Sequence, residues 1–215
     1  MHVSDLPRFE SLEGLRGTGK STIAPMLAAV RQAVLVPTVP ALYQPLRQEV
    51  DKRTNADARM CLYLAALFTA AEQIQRHLEG GVPVVVESYF ARCLASHRAL
   101  GAQLGVTLPD WLPTPVTYQL VCADNERRRR ITARNKPTSR WDSLLETVTD
   151  QVTDAYASFP THRIDTTGLS PEEVLRVITA TDTQGARPHA DAEPVGAHPH
   201  LLPAVPRRTA GTRRP

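Results

Sequence analysis

The chain of 215 residues has a hydrophobic fraction of 42%, which suits a single domain with a sizeable core. Its net charge of +3 is concentrated after about Gln184, where five arginines face two acidic residues, so the remainder is close to neutral. A near-neutral body argues against a nucleic-acid-binding domain. No apolar run of about 18 residues is present, and residues 1–8 contain no apolar signal-peptide core. We therefore expect a cytoplasmic protein with neither nucleic-acid nor membrane partners.

The three cysteines, Cys61, Cys93 and Cys122, are far apart in the sequence. Their spacing matches no metal-ligand motif, and each lies in an apolar stretch. Free cysteines in such surroundings behave as small apolar residues. We therefore predict reduced thiols within the core.

Apolar runs and helical segments alternate along the first half of the chain. The elements predicted there are a strand at residues 9–13, a helix at 20–32, a strand at 33–36 and a helix at 56–79. Pro37, Pro40 and Pro45 indicate an irregular segment before the long helix. That helix has apolar residues at helical spacing and ends at Gly80-Gly81, a typical C-terminal stop.

The same alternation continues through the second half. The elements predicted there are a strand at 82–87, a helix at 90–104, a strand at 116–121, helices at 125–134 and 141–159, a strand at 163–165 and a helix from Ser170. This order predicts an α/β fold, a three-layer sandwich in which a mainly parallel five-stranded sheet is flanked by helices. Residues 184–215 are rich in Pro, Ala and Arg without a period, which predicts a disordered tail after a domain at 1–183.

A phosphate-binding motif lies between the first predicted strand and the first predicted helix. Gly14, Gly19, Lys20 and Ser21 fulfil the pattern G-x-x-x-x-G-K-[ST] in the context it requires. Glycines let backbone N–H groups turn toward phosphates, the lysine reaches the β- and γ-phosphates, and the serine binds Mg²⁺. The motif predicts a P-loop NTPase with ATP and Mg²⁺ as cofactors. The residues predicted to contact ATP are Gly14, Leu15, Arg16, Gly17, Thr18, Gly19, Lys20, Ser21 and Thr22.

Several further segments, taken in chain order, resemble the thymidylate kinase family of P-loop nucleotide kinases. The residues that carry the resemblance are Phe9 to Gly14, Ala58 to Gly81, Glu87-Ser88-Tyr89, Arg130 to Arg134, Arg140-Trp141-Asp142, Val152 to Tyr156, Arg163-Ile164-Asp165 and Ser170 to Val174. Together they cover residues 9–180 of the chain. The resemblance implies an ATP-dependent kinase with an arginine-rich lid near residues 125–142, and a homodimer formed through the long helices.

The acceptor half of the site departs from the family pattern. Arg16 stands where the family has a P-loop carboxylate, and Ser88 stands where it has the arginine of an Asp-Arg-Tyr motif. A family arginine on the long helix aligns near Ala66. Arg16 and Arg92 are the residues that could rebuild a phosphate clamp from other positions. The sequence therefore leaves the acceptor open and predicts poor activity on thymidylate.

The candidates for catalysis and metal binding begin with Lys20 and Glu87. Glu87 ends the most apolar strand, at the sheet edge where ligands bind in such folds. A carboxylate there suits either orienting Mg²⁺-bound water or accepting a proton from a hydroxyl group. Ser21 and Glu87 are therefore the predicted metal residues.

Arginines in the predicted lid form the second group of catalytic candidates. Arg127, Arg130 and Arg134 share one face of a helix because they lie three and four positions apart. If that face covers the γ-phosphate, Arg130 and Arg134 neutralise charge during transfer. The alternative is a solvated charge run, which we prefer for Arg128 and Arg129.

The acceptor-binding candidates are Arg16, Tyr89, Arg92 and His97. Arg92 follows Glu87 by five positions, at the start of a helix that faces the same cleft, and the alternative for it is a surface arginine. Three functions stay open from the sequence. They are a nucleotide kinase close to thymidylate kinase, a kinase of a nucleoside or non-nucleotide hydroxyl compound, and an ATP-binding regulator that transfers no phosphate.

Overall fold

The computed structural model describes residues 7–134 and 138–185, with the side chains of 182–185 excepted. The strands are β1 (Phe9–Glu13), β2 (Val34–Val36), β3 (Val84–Glu87), β4 (Val116–Val121) and β5 (His162–Asp165). The helices are α1 (Lys20–Arg31), α2 (Gln44–Asp51), α3 (Ala56–Glu79), α4 (Phe90–Ala99), α5 (Asp124–Ala133), α6 (Arg140–Thr147), α7 (Thr149–Tyr156) and α8 (Pro171–Gly185).

The five strands form one sheet in the order β2-β3-β1-β4-β5, and every pairing is parallel. β1 is central, between β3 and β4. The chain runs from β1 to β2 and β3 on one side and then crosses to β4 and β5 on the other, so the strand order reverses beside the carboxyl end of β1. In the β1–β3 register Leu12 lies opposite Glu87. The end of β1 and the end of β3 therefore deliver the phosphate loop and Glu87 to adjacent points on one edge.

Helices cover both faces of the sheet and give three layers. On one face α1 and α8 enclose a core that includes Leu12, Leu27 and Ile178. On the other face α3 and α4 enclose a core that includes Phe9, Ile74 and Val86. The predicted P-loop NTPase architecture is therefore confirmed.

The helix boundaries differ from the prediction in the proline-rich segment and in the helices predicted at 90–104 and 141–159. The proline-rich segment holds a short 3₁₀ turn at Ala41–Tyr43 and the helix α2, which was not predicted. Pro45 is compatible with that helix because it lies in the first turn, where its missing N–H has no partner to lose. The helix predicted at 90–104 ends at Ala99, and the one predicted at 141–159 is two helices.

The prediction of three core thiols is only partly correct. Cys93 is buried and Cys122 is half-buried, but Cys61 is exposed because it lies on the face of α3 that points away from the sheet. No helix in the part of the chain that the structure describes is long and apolar enough to span a bilayer. The predicted tail lies outside the described residues beyond Gly185, so its disorder stays a prediction.

Candidate active site

The phosphate loop joins β1 to α1 and needs its glycines for steric reasons. Gly14, Gly17 and Gly19 have φ angles of 130°, 88° and 105°, a region that residues with a Cβ rarely adopt. A Cβ on Gly17 would lie 2.8 Å from the carbonyl oxygen of Arg127. The loop is therefore wrapped closely enough against α5 that only glycine fits.

Lys20 is folded back onto the loop. Its Nζ donates hydrogen bonds to the carbonyl oxygens of Gly14 at 2.9 Å and Leu15 at 2.8 Å. Burial, together with the positive charge of Arg92, lowers the pKa of Lys20 to about 7. The buried site therefore lacks the negative charge that would stabilise a protonated Lys20, and bound phosphates would supply that charge.

Binding of Mg·ADP at pH 8 is expected to take up nearly one proton. With a pKa of about 7, Lys20 is mostly neutral at pH 8 in the free protein, and bound phosphates raise its pKa by attraction. Calorimetry at pH 8 in HEPES and in Tris should give binding enthalpies that differ by the difference in buffer ionisation enthalpy. At pH 6 the lysine is already charged, so two buffers that work at that pH, MES and Bis-Tris, should give equal binding enthalpies. Equal enthalpies at pH 8 would contradict this assignment.

Ser21 and Glu87 meet at the carboxyl edge of the sheet. The Ser21 hydroxyl donates to Oε1 of Glu87 at 2.6 Å. Ser88 follows with a φ of 71°, a strained value for a residue with a side chain, and its N–H donates to the carbonyl oxygen of Leu12. A hydroxyl and a carboxylate this close are the oxygen donors that Mg²⁺ prefers, with waters completing its shell. The two predicted metal residues therefore fit a magnesium ion.

A cavity of about 370 Å³ lies beside the phosphate loop. It is bounded by the start of α1, by α5 and by the turn between β5 and α8, and the candidate residues that line it are Thr18, Gly19, Thr22, Arg130 and Arg134. The guanidinium of Arg130 donates to the side chain and carbonyl of Thr166 and pairs with Glu126. The side chain of Arg134, just past the end of α5, makes no hydrogen bond or ion pair with the described residues. It is the less restrained of the two arginines.

Arg127 has a different position from the one that its helical spacing predicts. It is buried, and its guanidinium pairs with Glu146 on α6 and Asp124 on α5, both at 2.6 Å. Its Nη1 also donates to the carbonyl oxygen of Arg16. Arg127 therefore links the phosphate loop to α5 and α6 and does not line the cavity of about 370 Å³ beside the loop.

A second cavity, of about 220 Å³, lies on the other side of the loop between α2, α3 and α4. Its lining includes three arginines, Arg47, Arg59 and Arg92. Arg92, in the first turn of α4, also donates from Nη1 to the carbonyl oxygen of Gly14. That oxygen therefore receives both Arg92 and Lys20, so this cationic cavity borders the phosphate loop directly.

Arg47 and Arg59 are the cavity residues that the sequence analysis missed. Arg47 lies on α2, in the segment predicted to be irregular. Arg59 lies seven positions before Ala66, where the family's arginine was sought, and two helical turns bring it to the same buried face of α3. The periodicity of α3 could have identified Arg59, because an arginine on an otherwise apolar face needs a partner or a ligand.

The guanidinium of Arg59 is held from several sides. It pairs with Asp51 at 2.8 Å, donates to the Tyr63 hydroxyl at 3.1 Å and lies over the Tyr63 and Trp141 rings. Its Nη1 is 2.9 Å from Nε2 of His97. These contacts fix its plane before any ligand binds.

His97 supports this arrangement as a neutral side chain. Its Nδ1 is 2.7 Å from the carbonyl oxygen of Cys93, so Nδ1 carries the proton and Nε2 accepts from Arg59. Burial lowers the pKa of His97 to about 4, and the charge of Arg59 lowers it as well. His97 and Tyr89, both predicted to bind the acceptor, line the arginine-lined cavity, but each is almost fully buried. His97 therefore acts on Arg59 more directly than on a ligand.

Arg16 reaches toward α6. Its Nη1 donates to the Thr138 hydroxyl at 3.3 Å and lies 3.6 Å from a carboxylate oxygen of Asp142. Asp142 in turn lines the arginine-rich cavity. The cations that line this cavity together with Arg92 are Arg47 and Arg59, and Arg16 is not among its lining residues.

Glu13, the last residue of β1, forms a buried network that the sequence did not reveal. Its carboxylate accepts from the Tyr89 N–H at 2.6 Å, the Ser11 hydroxyl at 2.9 Å and the Tyr156 hydroxyl at 3.3 Å. The Tyr156 hydroxyl also accepts from the N–H of Gly14. Burial raises the pKa of Glu13. The network ties the phosphate loop to α4 and α7.

Comparison with known proteins supports the fold. No protein-family model matches the chain, and no curated protein sequence matches it. Among solved structures, thymidylate kinase from Candida albicans is similar with a TM-score of 0.67 and 18% sequence identity. The match covers 84% of this chain and 92% of that chain. The chain therefore has a thymidylate-kinase-like fold, and at this identity the likeness concerns the fold alone.

Proposed function

We propose that this protein is an ATP-dependent phosphotransferase whose acceptor is a small phosphomonoester. The observation that carries the proposal is the shared carbonyl oxygen of Gly14, which accepts from Lys20 on the donor side and from Arg92 on the acceptor side. Phosphoryl transfer depends mainly on positioning two anionic groups and neutralising charge between them. A lysine and an arginine that meet at the phosphate loop suit that task.

The charges of the acceptor cavity favour a phosphomonoester over a neutral alcohol. Arg47, Arg59 and Arg92 line it, and guanidinium groups bind phosphate oxygens through paired hydrogen bonds. Asp51 pairs with both Arg47 and Arg59, so one carboxylate is shared by two cations. The cavity therefore has positive charge left for a ligand. The sequence predicts poor activity on thymidylate because arginines are missing at Ser88 and Ala66. In this proposal the three arginines of the cavity take the place of the missing ones.

In this proposal each candidate residue has a defined part in direct in-line transfer. Lys20 leaves the loop carbonyls for the β- and γ-phosphates of ATP, and Ser21 and Glu87 would hold Mg²⁺. When bound, that ion would supply neutralisation of charge at the phosphate oxygens. Arg130 and Arg134 border the nucleotide, and Arg92 lies between the donor and acceptor phosphates. Closure of the lid excludes water and suppresses hydrolysis of ATP.

A hydroxyl acceptor is the second candidate function. Glu87 has the position of a general base at the end of β3. Its hydrogen bond with Ser21 favours a metal role over a base role. An ATP-binding regulator remains the third candidate, and the arginine-lined cavity speaks against it because a regulator needs no acceptor site.

The decisive experiment is a comparison of kcat/KM for four groups of acceptors, with ADP release as the readout. The groups are thymidylate, other nucleoside monophosphates, nucleosides and non-nucleotide hydroxyl compounds. We expect at least one monophosphate to reach about 10⁴ M⁻¹s⁻¹, an ordinary value for a true substrate. Exclusive turnover of nucleosides or other alcohols would replace the proposal by the second candidate. Tight ATP binding without turnover of any acceptor would leave the regulator.

Replacing Arg134 by alanine is expected to lower kcat by about 10²- to 10³-fold while ATP affinity changes only a few-fold. An arginine that borders the transferring phosphate acts mainly on charge that develops in the transition state. Arg128→Ala is the matched control, because Arg128 is exposed on the same helix and its one ion pair within residues 7–134 and 138–185 is with Asp124. Pre-steady-state turnover and nucleotide titration separate the two effects. A change confined to ATP affinity would make Arg134 a ground-state contact.

A further inference from the structure

A third cavity has a volume of about 350 Å³. It shares no lining residue with the cavity beside the phosphate loop (the nucleotide-side cavity) and only Tyr89 with the arginine-lined one (the acceptor-side cavity). It is enclosed by the sheet face at Glu13 and Thr117, the first turn of α4, the connection between α4 and β4, and the residues after α7. Its apolar lining includes Phe90, Leu112 and Phe159. Glu13 separates the cavity from the phosphate loop, because its carboxylate bonds to the Tyr156 hydroxyl that receives the Gly14 N–H.

The charge of this cavity is opposite to that of the other two. Among its lining residues there is no lysine, arginine or histidine, and the carboxyl groups are those of Glu13 and Asp110. The nucleotide-side and acceptor-side cavities are both lined by arginines. An anionic ligand would meet no counter-ion here and would be disfavoured on entering an apolar site. Neutral and cationic compounds are therefore the classes that the cavity accepts.

Tyr89 lies at the boundary of this cavity. It lines both this cavity and the arginine-lined one, and it is 5% exposed. Its hydroxyl is buried and has no hydrogen-bond partner among the described residues, so the cavity does not reach that atom as it stands. The side-chain carboxylate that a ligand can reach at this cavity is that of Asp110, which is exposed.

The loop that covers the cavity supports a binding role. Residues 100–115 form a connection without helix or strand, and its Pro109, Pro113 and Pro115 line the cavity. Connections longer than about 12–15 residues in compact domains are usually functional. Prolines give this wall a restricted backbone, so the cavity is largely formed before a ligand arrives.

We propose that this cavity binds a small neutral or cationic aromatic compound, with the ring against Phe90, Phe159 and the prolines and polar atoms toward Asp110. The volume of about 350 Å³ suits a one- or two-ring compound. The site shares no lining residue with the nucleotide-side cavity, so its occupancy is independent of the nucleotide.

The test uses three probes of similar size on the full chain: 2-phenylethylamine, 3-phenylpropan-1-ol and 3-phenylpropionate. Saturation-transfer NMR titrations should give dissociation constants of about 1 mM or lower for the amine and the alcohol, as expected for fragments of this size. The propionate should bind at least about tenfold more weakly, because no cation lines the cavity. Saturating Mg·ADP should displace none of them. Equal binding of the three probes, or displacement by Mg·ADP, would overturn the proposal.

Variants locate the binding to this cavity. Thr117→Phe fills the space from β4 and should weaken the amine and the alcohol at least tenfold, with folding checked by a thermal melt. Asp110→Asn, on an exposed loop residue, should weaken the amine toward the alcohol and leave the alcohol unchanged. Asp150→Asn, an exposed carboxylate on α7 outside the lining, is the matched control. If Thr117→Phe does not fold, unchanged amine binding in Asp110→Asn is by itself sufficient to reject the site.

Discussion

Replacing Lys20 by alanine is expected to lower kcat/KM for ATP by about 10³-fold or more, since one charged contact to the transferring phosphate is lost. The fold should remain intact. Among the described residues, the Lys20 side chain bonds only to two loop carbonyls, and burial disfavours its charged form, as its lowered pKa shows. Coupled ADP-release assays and thermal melts measure the two effects separately.

The matched control for this variant is Lys52→Ala. Lys52 follows the last residue of α2 and pairs with Glu49 on the surface, so its removal should leave turnover and stability nearly unchanged. Near-normal turnover in Lys20→Ala would contradict the kinase proposal. Loss of folding in Lys20→Ala alone would show that the loop depends on the lysine for structure.

Replacing Arg92 by alanine is expected to lower kcat/KM for the acceptor by about 10²-fold or more, with a smaller effect on Mg·ADP affinity. Arg92 lines the acceptor cavity and contacts the Gly14 carbonyl, so it would touch both phosphates during transfer. A second readout follows from the charge of Arg92, which lowers the pKa of Lys20. Without it, that pKa should rise, and proton uptake on Mg·ADP binding at pH 8 should fall.

Arg98→Ala is the control for this experiment, because Arg98 is on the same helix and exposed to solvent. Arg92→Lys tests whether the planar fork matters in addition to the charge, and we expect it to restore proton uptake but only part of the acceptor kinetics. Acceptor kinetics and proton uptake both unchanged in Arg92→Ala would remove Arg92 from the site.

The lid arginines show how far helical spacing carries a functional prediction. Arg127, Arg130 and Arg134 were expected to share one face over the nucleotide. Arg130 and Arg134 do line the nucleotide-side cavity, whereas Arg127 is buried against Glu146 and the backbone of Arg16. Spacing fixes the direction in which a side chain leaves a helix, but a long arginine chain reaches whichever carboxylate the neighbouring helix presents.

The sequence by itself determined the parts of this protein whose chemistry is local. The glycine spacing from Gly14 to Gly19 reflects backbone angles that other residues rarely adopt, and the apolar run before Glu87 reflects a strand buried on both faces. Each of these signals lies within a few consecutive residues. The fold class, the phosphate loop and the pairing of Ser21 with Glu87 at one sheet edge were therefore predictable.

Only the tertiary structure decided which cations and carboxylates surround the loop. Arg47, Arg59 and Arg92 come from three different helices, and Asp51 and His97 orient Arg59 across further gaps in the sequence. Nothing local distinguishes these arginines from exposed ones, because the role of a charged side chain depends on the partners that packing brings within hydrogen-bond distance and removes from water. For the same reason the sequence predicts a phosphate donor site, whereas the proposed acceptor site depends on the packing of α2, α3 and α4.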